Sequence, residues 1–263
     1  MSLAGNLRYA HALLATSIKA SLANRAAFWL QAVVMALNNA IWVAIWYFFF
    51  QKYDNIRGWR LEGYITQIGI LAMGVGLSVV FFGGVRALSA SIARGNFDCH
   101  LILPKHSLTR VIWTKSSAAG WGDIGTGIFA LVLAGHTALE KLPFVAIGVF
   151  CCICAFTGVG LIAQSMTFWT GDTGITAIWL QDLTISFGSY PERIYGNISR
   201  VLVYTVIPAA FMSLLPYQAV EELAVGVLAE AMVGSGILCA LAWWTYSAGL
   251  RRYTSGNRFA AIV

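Results

Sequence analysis

Asp123 and Glu230 are acids set within long apolar runs, where an ionised carboxylate at the centre of a membrane helix costs about 2.5–3.5 kcal/mol unless something relieves it. Asp123 lies nearer the inner end of its run than the centre. Pairing with Lys115 two turns earlier, or exposure to an inner cavity, would each relieve its charge, and both readings stay open. Glu230, about two turns past Glu222, has the same cavity reading. Asn38 and Asn39 on the first apolar run and Gln67 on the second, with Gln31, add amides that prefer a protein interior to lipid. Hydrogen bonding between helices is the plainer use for such groups, and a translocation pathway through Asn38, Asn39, Gln67, Asp123 and Glu230 is the sharper one.

Groups for bond chemistry are missing. Cys151 and Cys154 have the C-x-x-C spacing but lack the histidines, acids or second cysteine pair that would complete a site, and the five cysteines suit packed membrane helices better than disulfides. His11, His100, His106 and His136 fall at surfaces or loop ends and never at ligand spacing, so no metal site is expected. No span carries H-E-x-x-H or paired acids. There is also no G-x-x-x-x-G-K-[ST] run to cradle phosphates. Any ATP hydrolysis would therefore occur on a partner, with ATP and magnesium bound there and no cofactor in this chain.

The elements that position these residues follow from composition. Of 263 residues 59% are hydrophobic and 11% charged, against roughly 25% charged in a soluble domain. Apolar runs of about 20 residues, the length a bilayer core needs, make this an all-α polytopic membrane protein forming one domain over residues 1–263. Residues 1–27 read as an amphipathic helix on the inner membrane surface, without a signal-peptide cleavage pattern. Spans are expected at 28–50, 64–88, 118–135, 143–169 and 223–250. Between the last two, residues 170–222 hold two weaker stretches, 174–187 and 201–215, broken by Pro191, Pro208 and Pro216. Seven crossings would put Arg251, Arg252 and Arg258 on the side opposite Arg8, Lys19 and Arg25, which the positive-inside rule disfavours. One crossing plus a re-entrant or surface segment gives six, with both termini inside. Either stretch could be the fifth crossing. That topology puts 11 of the 17 lysines and arginines inside. The +6 charge is scattered over the ends of apolar runs and forms no patch for nucleic acid.

The longest internal polar segment, 89–117, contains S-I-A-R-G-N-F-D-C-H-L-I-L-P from Ser91 to Pro104. Its charge, its aromatic and its proline stop have the chemistry of a docking element, while a solvated basic loop is the bland reading. In the third span Ala118, Gly122, Thr126, Ala130 and Ala134 place small residues on one helical stripe, where another backbone can come close. Packing within the subunit is the first reading of this stripe and a dimer seam the second.

Together with F-W-T-G-D at 168–172, S-F-G-S-Y-P-E-R-I-Y at 186–195, I-P-A-A-F-M-S-L-L-P at 207–216 and G-L-R-R-Y-T-S-G-N at 249–257, the Ser91–Pro104 run resembles the permease family of ABC-2 type transporters. The likeness is to the branch of chains of this length first catalogued as a domain of unknown function, and it covers nearly the whole chain. It implies six spans, an N-terminal interfacial helix, a cytoplasmic coupling helix between the second and third spans, and a partly re-entrant outer segment before the last. It also implies a permease subunit in a bacterial cytoplasmic membrane, working as a homo- or heterodimer with separate ATPase subunits to export a hydrophobic or amphipathic substrate. ATPase docking then falls on Arg94, Gly95, Asn96, Phe97, Asp98, His100 and Pro104. An ion-gradient-driven transporter leaning on Asp123 and Glu230 is the alternative.

Overall fold

The computed structural model describes residues 3–53, 59–102, 107–135, 138–191 and 194–254, and the regular elements among them are helices. The N-terminal helix α1 (Leu3–Leu22) stops just before α2 (Arg25–Lys52). Asn24 makes the break: its backbone is extended and its side-chain oxygen accepts the Ala27 N–H at 3.1 Å, satisfying a donor that the first helical turn leaves free. Few side chains of α2 are buried. Its Leu30, Val34, Leu37 and Ile41 are exposed, an apolar face suited to lipid or to another membrane helix.

The centre of the molecule is α3 (Leu61–Phe81), buried nearly all round from Gly63 to Val80. A helix apolar on every side belongs inside a bundle. The expected second span ran on to residue 88, but the α-helix ends at Phe81 and passes into a 3-10 turn, Gly83–Ala87. The cause is packing: a Cβ at Gly84 would sit 1.8 Å from the Val111 carbonyl oxygen, so the chain turns under the inner segment at a site where only glycine fits. The polar stretch that follows is three short helices, α4 (Leu88–Ala93), α5 (Asp98–Leu101) and α6 (Ser107–Trp113).

Next come α7 (Ala119–Leu133) and α8 (Leu142–Ser165), the latter continuing into α9 (Thr167–Thr170). After α10 (Gly174–Gly188), the helices α11 (Asn197–Thr205) and α12 (Leu214–Glu222) lead into the last, α13 (Val225–Arg252). The helix α7 packs along α3 and α2, and α8 is clasped by α13, α3, α10 and α12.

Among the described residues four helical segments are long and apolar enough to cross a membrane: Arg25–Lys52, Leu61–Phe81, Leu142–Thr170 and Val225–Arg252. A fifth results if the pair Asn197–Thr205 and Ala209–Glu222, bent by 75°, is counted as one broken span. The expected third span, α7, has 15 residues, about 22 Å of helix at 1.5 Å per residue, less than the roughly 30 Å hydrocarbon core. The same holds for α10, also of 15 residues.

Candidate coupling and translocation sites

The inner segment is tied into the bundle from below. After α4, the Arg94 and Gly95 N–H groups donate to the Ala90 and Ile92 carbonyls, and Gly95 turns the chain at φ +72°, a conformation that costs a residue with a Cβ and suits glycine. Phe97 then enters the core, 0% exposed. Its ring meets Phe168 edge-on at 5.6 Å, Tyr253 at 5.1 Å and His100 at 5.8 Å. Beside it the Asp98 carboxylate accepts the Tyr253 hydroxyl at 2.9 Å. Burial, then this carboxylate, pushes the Tyr253 phenol up to about 12, so the hydroxyl stays a donor at any physiological pH. Burial and the Arg110 charge lower the His100 pKa, keeping its imidazole neutral. One element along, the Tyr246 hydroxyl donates to Ser107 Oγ at 2.8 Å. The foot of α13 therefore holds both α5 and α6.

This geometry divides the expected docking residues. Phe97 is internal. Gly95, Asp98 and His100 are half-buried, and Arg94 and Asn96 face outward. Pro104 lies outside the described residues, as do Lys105 and Arg258. The outward edge continues through Cys99 and Leu101 to Ile102, which is 79% exposed. Cys99, Leu101 and Ile102 were not singled out in the sequence, where the aromatic Phe97 was the more prominent residue.

A second tie is a polar knot, buried at Ser89, Gln164 and Thr167, that reaches the exposed Asp172 of the F-W-T-G-D run. Asp172 Oδ1 accepts from Ser89 Oγ at 2.9 Å and from the Gly174 N–H at 3.0 Å, capping the start of α10. Thr167 Oγ1 donates to Ser89 Oγ at 2.6 Å, and the Ser89 N–H reaches Gln164 Oε1 at 3.1 Å. Ser89 and Thr167 are both 0% exposed. Arg86 bridges to Asp182 of α10 at 3.0 Å. The signal for this knot was present, since Ser89, Gln164, Thr167 and Asp172 all flank apolar runs, but the partners are about 80 residues apart in sequence.

Within the membrane region, Asp123 is 3% exposed and accepts a hydrogen bond from Asn39 Nδ2 at 2.7 Å. No ion pair joins it to Lys115. Its depth also differs from the expectation. The chain from Thr114 to Ala118 precedes α7 without helix, and Gly122 lies against the Ala32 carbonyl, 2.1 Å from where a Cβ would stand. The start of α7 is thus recessed, and Asp123 pairs with Asn39, the fifteenth of the 28 residues of α2. A carboxylate expected near the inner end is level with the middle of the neighbouring helix.

Asn38, Asn39 and Asp123 line one cavity of about 80 Å³ between α2, α3, α7 and α10, together with Trp42 and Ser189. The other two pathway candidates go elsewhere. Gln67 is fully buried and donates to the carbonyls of Gly188 at 2.7 Å and Tyr190 at 2.9 Å. The Gly188 carbonyl also accepts from Ser213 Oγ at 2.6 Å, and the Tyr195 hydroxyl donates to the Phe187 carbonyl. Two of the sequence motifs thus meet at the C-terminal end of α10, with Gln67 as their tie to α3. Glu230 is exposed on α13, away from the cavity.

The small-residue stripe is used inside the chain at two points. Gly122 takes the backbone of α2, and Ala130, 4% exposed, meets α3 beside Gly69. Ala118 is also buried, and the Thr126 hydroxyl bonds back to the Gly122 carbonyl at 2.9 Å. Among the described residues no group of histidines, cysteines and acids could hold a metal ion.

A profile described as ABC-2 family transporter protein matches residues 33–257 of the chain. No curated protein and no solved structure matches it. The matched span runs from the third turn of α2 past the foot of α13, and so takes in the inner segment, the polar knot and the cavity.

Proposed function

Because this chain belongs to the ABC-2 transporter family, we propose that it is the membrane permease subunit of an ATP-driven exporter, working as a dimer with separate ATPase subunits that bind below the inner segment. It is a multi-pass membrane protein. The observation that carries the reading is the double attachment of α4 to α6: through Phe97 and Asp98 to the foot of α13, and through Ser89 to α8, α9 and the start of α10. An element that docks a motor has to pass a push to the helices around the substrate path, and a solvated loop has no need of such buried ties. The push would reach α10, whose far end borders the Asp123 cavity, and α13.

In this reading α7 and α10 complete six crossings, their short helices extended by the non-helical segments beside them, and α11 with α12 forms a bent outer segment. Non-helical backbone at membrane depth is acceptable where protein or a water-lined cavity satisfies it. The basic residues of the inner segment and the chain ends then lie on the cytoplasmic side of the bacterial inner membrane. ATP-driven closure of the partner subunits moves the inner segment, rocks the two permeases and releases a hydrophobic or amphipathic substrate outward, without bond chemistry in this chain.

The test is co-purification with an ATPase that carries a P-loop, using variants on the outward edge. Arg94→Glu with Ile102→Asp should abolish capture while leaving the permease folded. Full retention of the ATPase by this variant would remove the docking assignment, and absence of any P-loop partner from the wild-type chain would remove the reading.

A further inference from the structure

We propose that the cavity enclosed by α2, α3, α7 and α10 receives the cationic head of an amphiphilic substrate, with the Asp123 carboxylate as its counter-charge. The inference rests on the transport reading and names the substrate class that this site would take. Asp123 is 3% exposed, close to the level of the middle of α2, and its hydrogen bond comes from a neutral amide, Asn39 Nδ2 at 2.7 Å. A carboxylate at such depth without a cation is expensive, and intramembrane acids of this kind characteristically face a substrate or ion path. Arg86 is taken by Asp182 of α10 at 3.0 Å.

The cavity is bordered by Ser189, the residue that ends α10, whose Phe187 and Gly188 carbonyls are already taken by Tyr195, Gln67 and Ser213, so this helix end adds little to the negative charge that Asp123 supplies. Trp42 lines the cavity as well, and an indole face attracts an ammonium group, most strongly away from water. The remaining wall is largely apolar: Met35, Ile68, Leu71 and Val75. A volume of about 80 Å³ admits a head of a few heavy atoms, given that a water takes about 30 Å³. A methylated or primary ammonium has that size. Asn38 and Trp42 reach the surface of α2 and make an opening on that side, next to the exposed apolar residues Leu37, Ile41 and Ile45. A substrate's tail would lie along these while its head enters between Asn39 and Asp123.

The experiment is equilibrium dialysis on the purified chain in nanodiscs of phosphatidylcholine, with empty discs as background. The probes are octyltrimethylammonium and octyl glucoside, equal in tail and different in charge. The wild type should bind the cation saturably and the neutral probe only at background. Asp123→Asn, which keeps the shape of the side chain, should weaken cation binding at least tenfold. Trp42→Leu, at a position 38% exposed and so tolerant of change, should weaken it severalfold, and it keeps the test decisive if Asp123→Asn fails to fold. Equal cation affinity in wild type and both variants, or equal binding of the two probes, would overturn the proposal. The assay uses no ATPase. Its failure leaves ATPase capture untouched, and failure of ATPase capture leaves the binding result standing.

Discussion

Replacing Phe97 with alanine should free the inner segment from the bundle without unfolding the protein. The ring is 0% exposed and touches Phe168, Tyr253 and His100. Full burial of a phenylalanine contributes about 1.5–3 kcal/mol, each well-oriented aromatic pair about 0.5–1.5 more, and measured Phe→Ala changes in cores cost about 3–5. The loss falls on a short segment whose other described ties to the foot of α13 are the Asp98–Tyr253 and Ser107–Tyr246 hydrogen bonds. At about 1.4 kcal/mol per factor of ten, the undocked population should rise by roughly a hundredfold or more. Hydrogen–deuterium exchange reads this directly. Amides of 91–102, among them the Phe97 N–H bonded to the Ser91 carbonyl, should exchange at least a hundred times faster in Phe97→Ala, while α3 and α8 keep wild-type protection. Arg94→Ala, on the outward edge, should leave the pattern unchanged. Unaltered protection in Phe97→Ala, or equal loosening by Arg94→Ala, would refute the division between an anchoring and an outward face.

Further outcomes follow from the same contacts. Gly122→Leu should fail to assemble, because its Cβ would stand 2.1 Å from the Ala32 carbonyl, whereas Gly125→Leu, with nothing within 4 Å of its Cβ, should be produced at wild-type levels; yield and size-exclusion profile distinguish them. Ser89→Ala removes one donor from exposed Asp172, which keeps the Gly174 N–H, and one partner from buried Thr167, which keeps Thr173, and should destabilise by about 0.5–1.5 kcal/mol, the net worth of a lost hydrogen bond, measured as a fall in thermal unfolding midpoint. Asn39→Leu leaves Asp123 without its hydrogen bond and should cost more stability than Asn38→Leu on the exposed side. For orientation, exposed Cys99 should react with a membrane-impermeant maleimide in inverted vesicles and resist it in intact cells. The opposite pattern would invert the topology.

Much of this architecture was legible in the chain because membrane insertion is decided by local composition. The runs at 28–50, 143–169 and 223–250 became α2, α8 with α9, and α13 within a few residues. What the sequence could not show was depth. Fifteen apolar residues of α7 look like most of a span, and only the contact of Gly122 with Ala32 reveals that the helix starts partway up α2 and carries Asp123 to its middle. The end of the second span was hidden for a related reason, since Gly84 reads as one more glycine in a glycine-rich run until Val111 is seen against it. Phe97 was expected among the docking residues and is instead enclosed, since an aromatic in a polar run reads equally well as a docking knob or an anchor. Its partners, Phe168 and Tyr253, lie far along the chain. Gln67 and Glu230 looked alike as polar residues in apolar runs; one ties α3 to the end of α10, and the other faces out from α13.

The central claim is that another chain's ATPase acts on the outward edge of the inner segment. Photocrosslinking from single positions tests it most directly, with a photoreactive residue placed in turn at Arg94, Asn96, Phe97 and Ile102 in membranes that contain the cognate P-loop subunit. The account predicts adducts with that subunit from 94, 96 and 102, altered by ATP, and none from 97, whose side chain is enclosed by Phe168 and Tyr253. Adducts from none of the outward positions, in membranes where the ATPase is present, would contradict it.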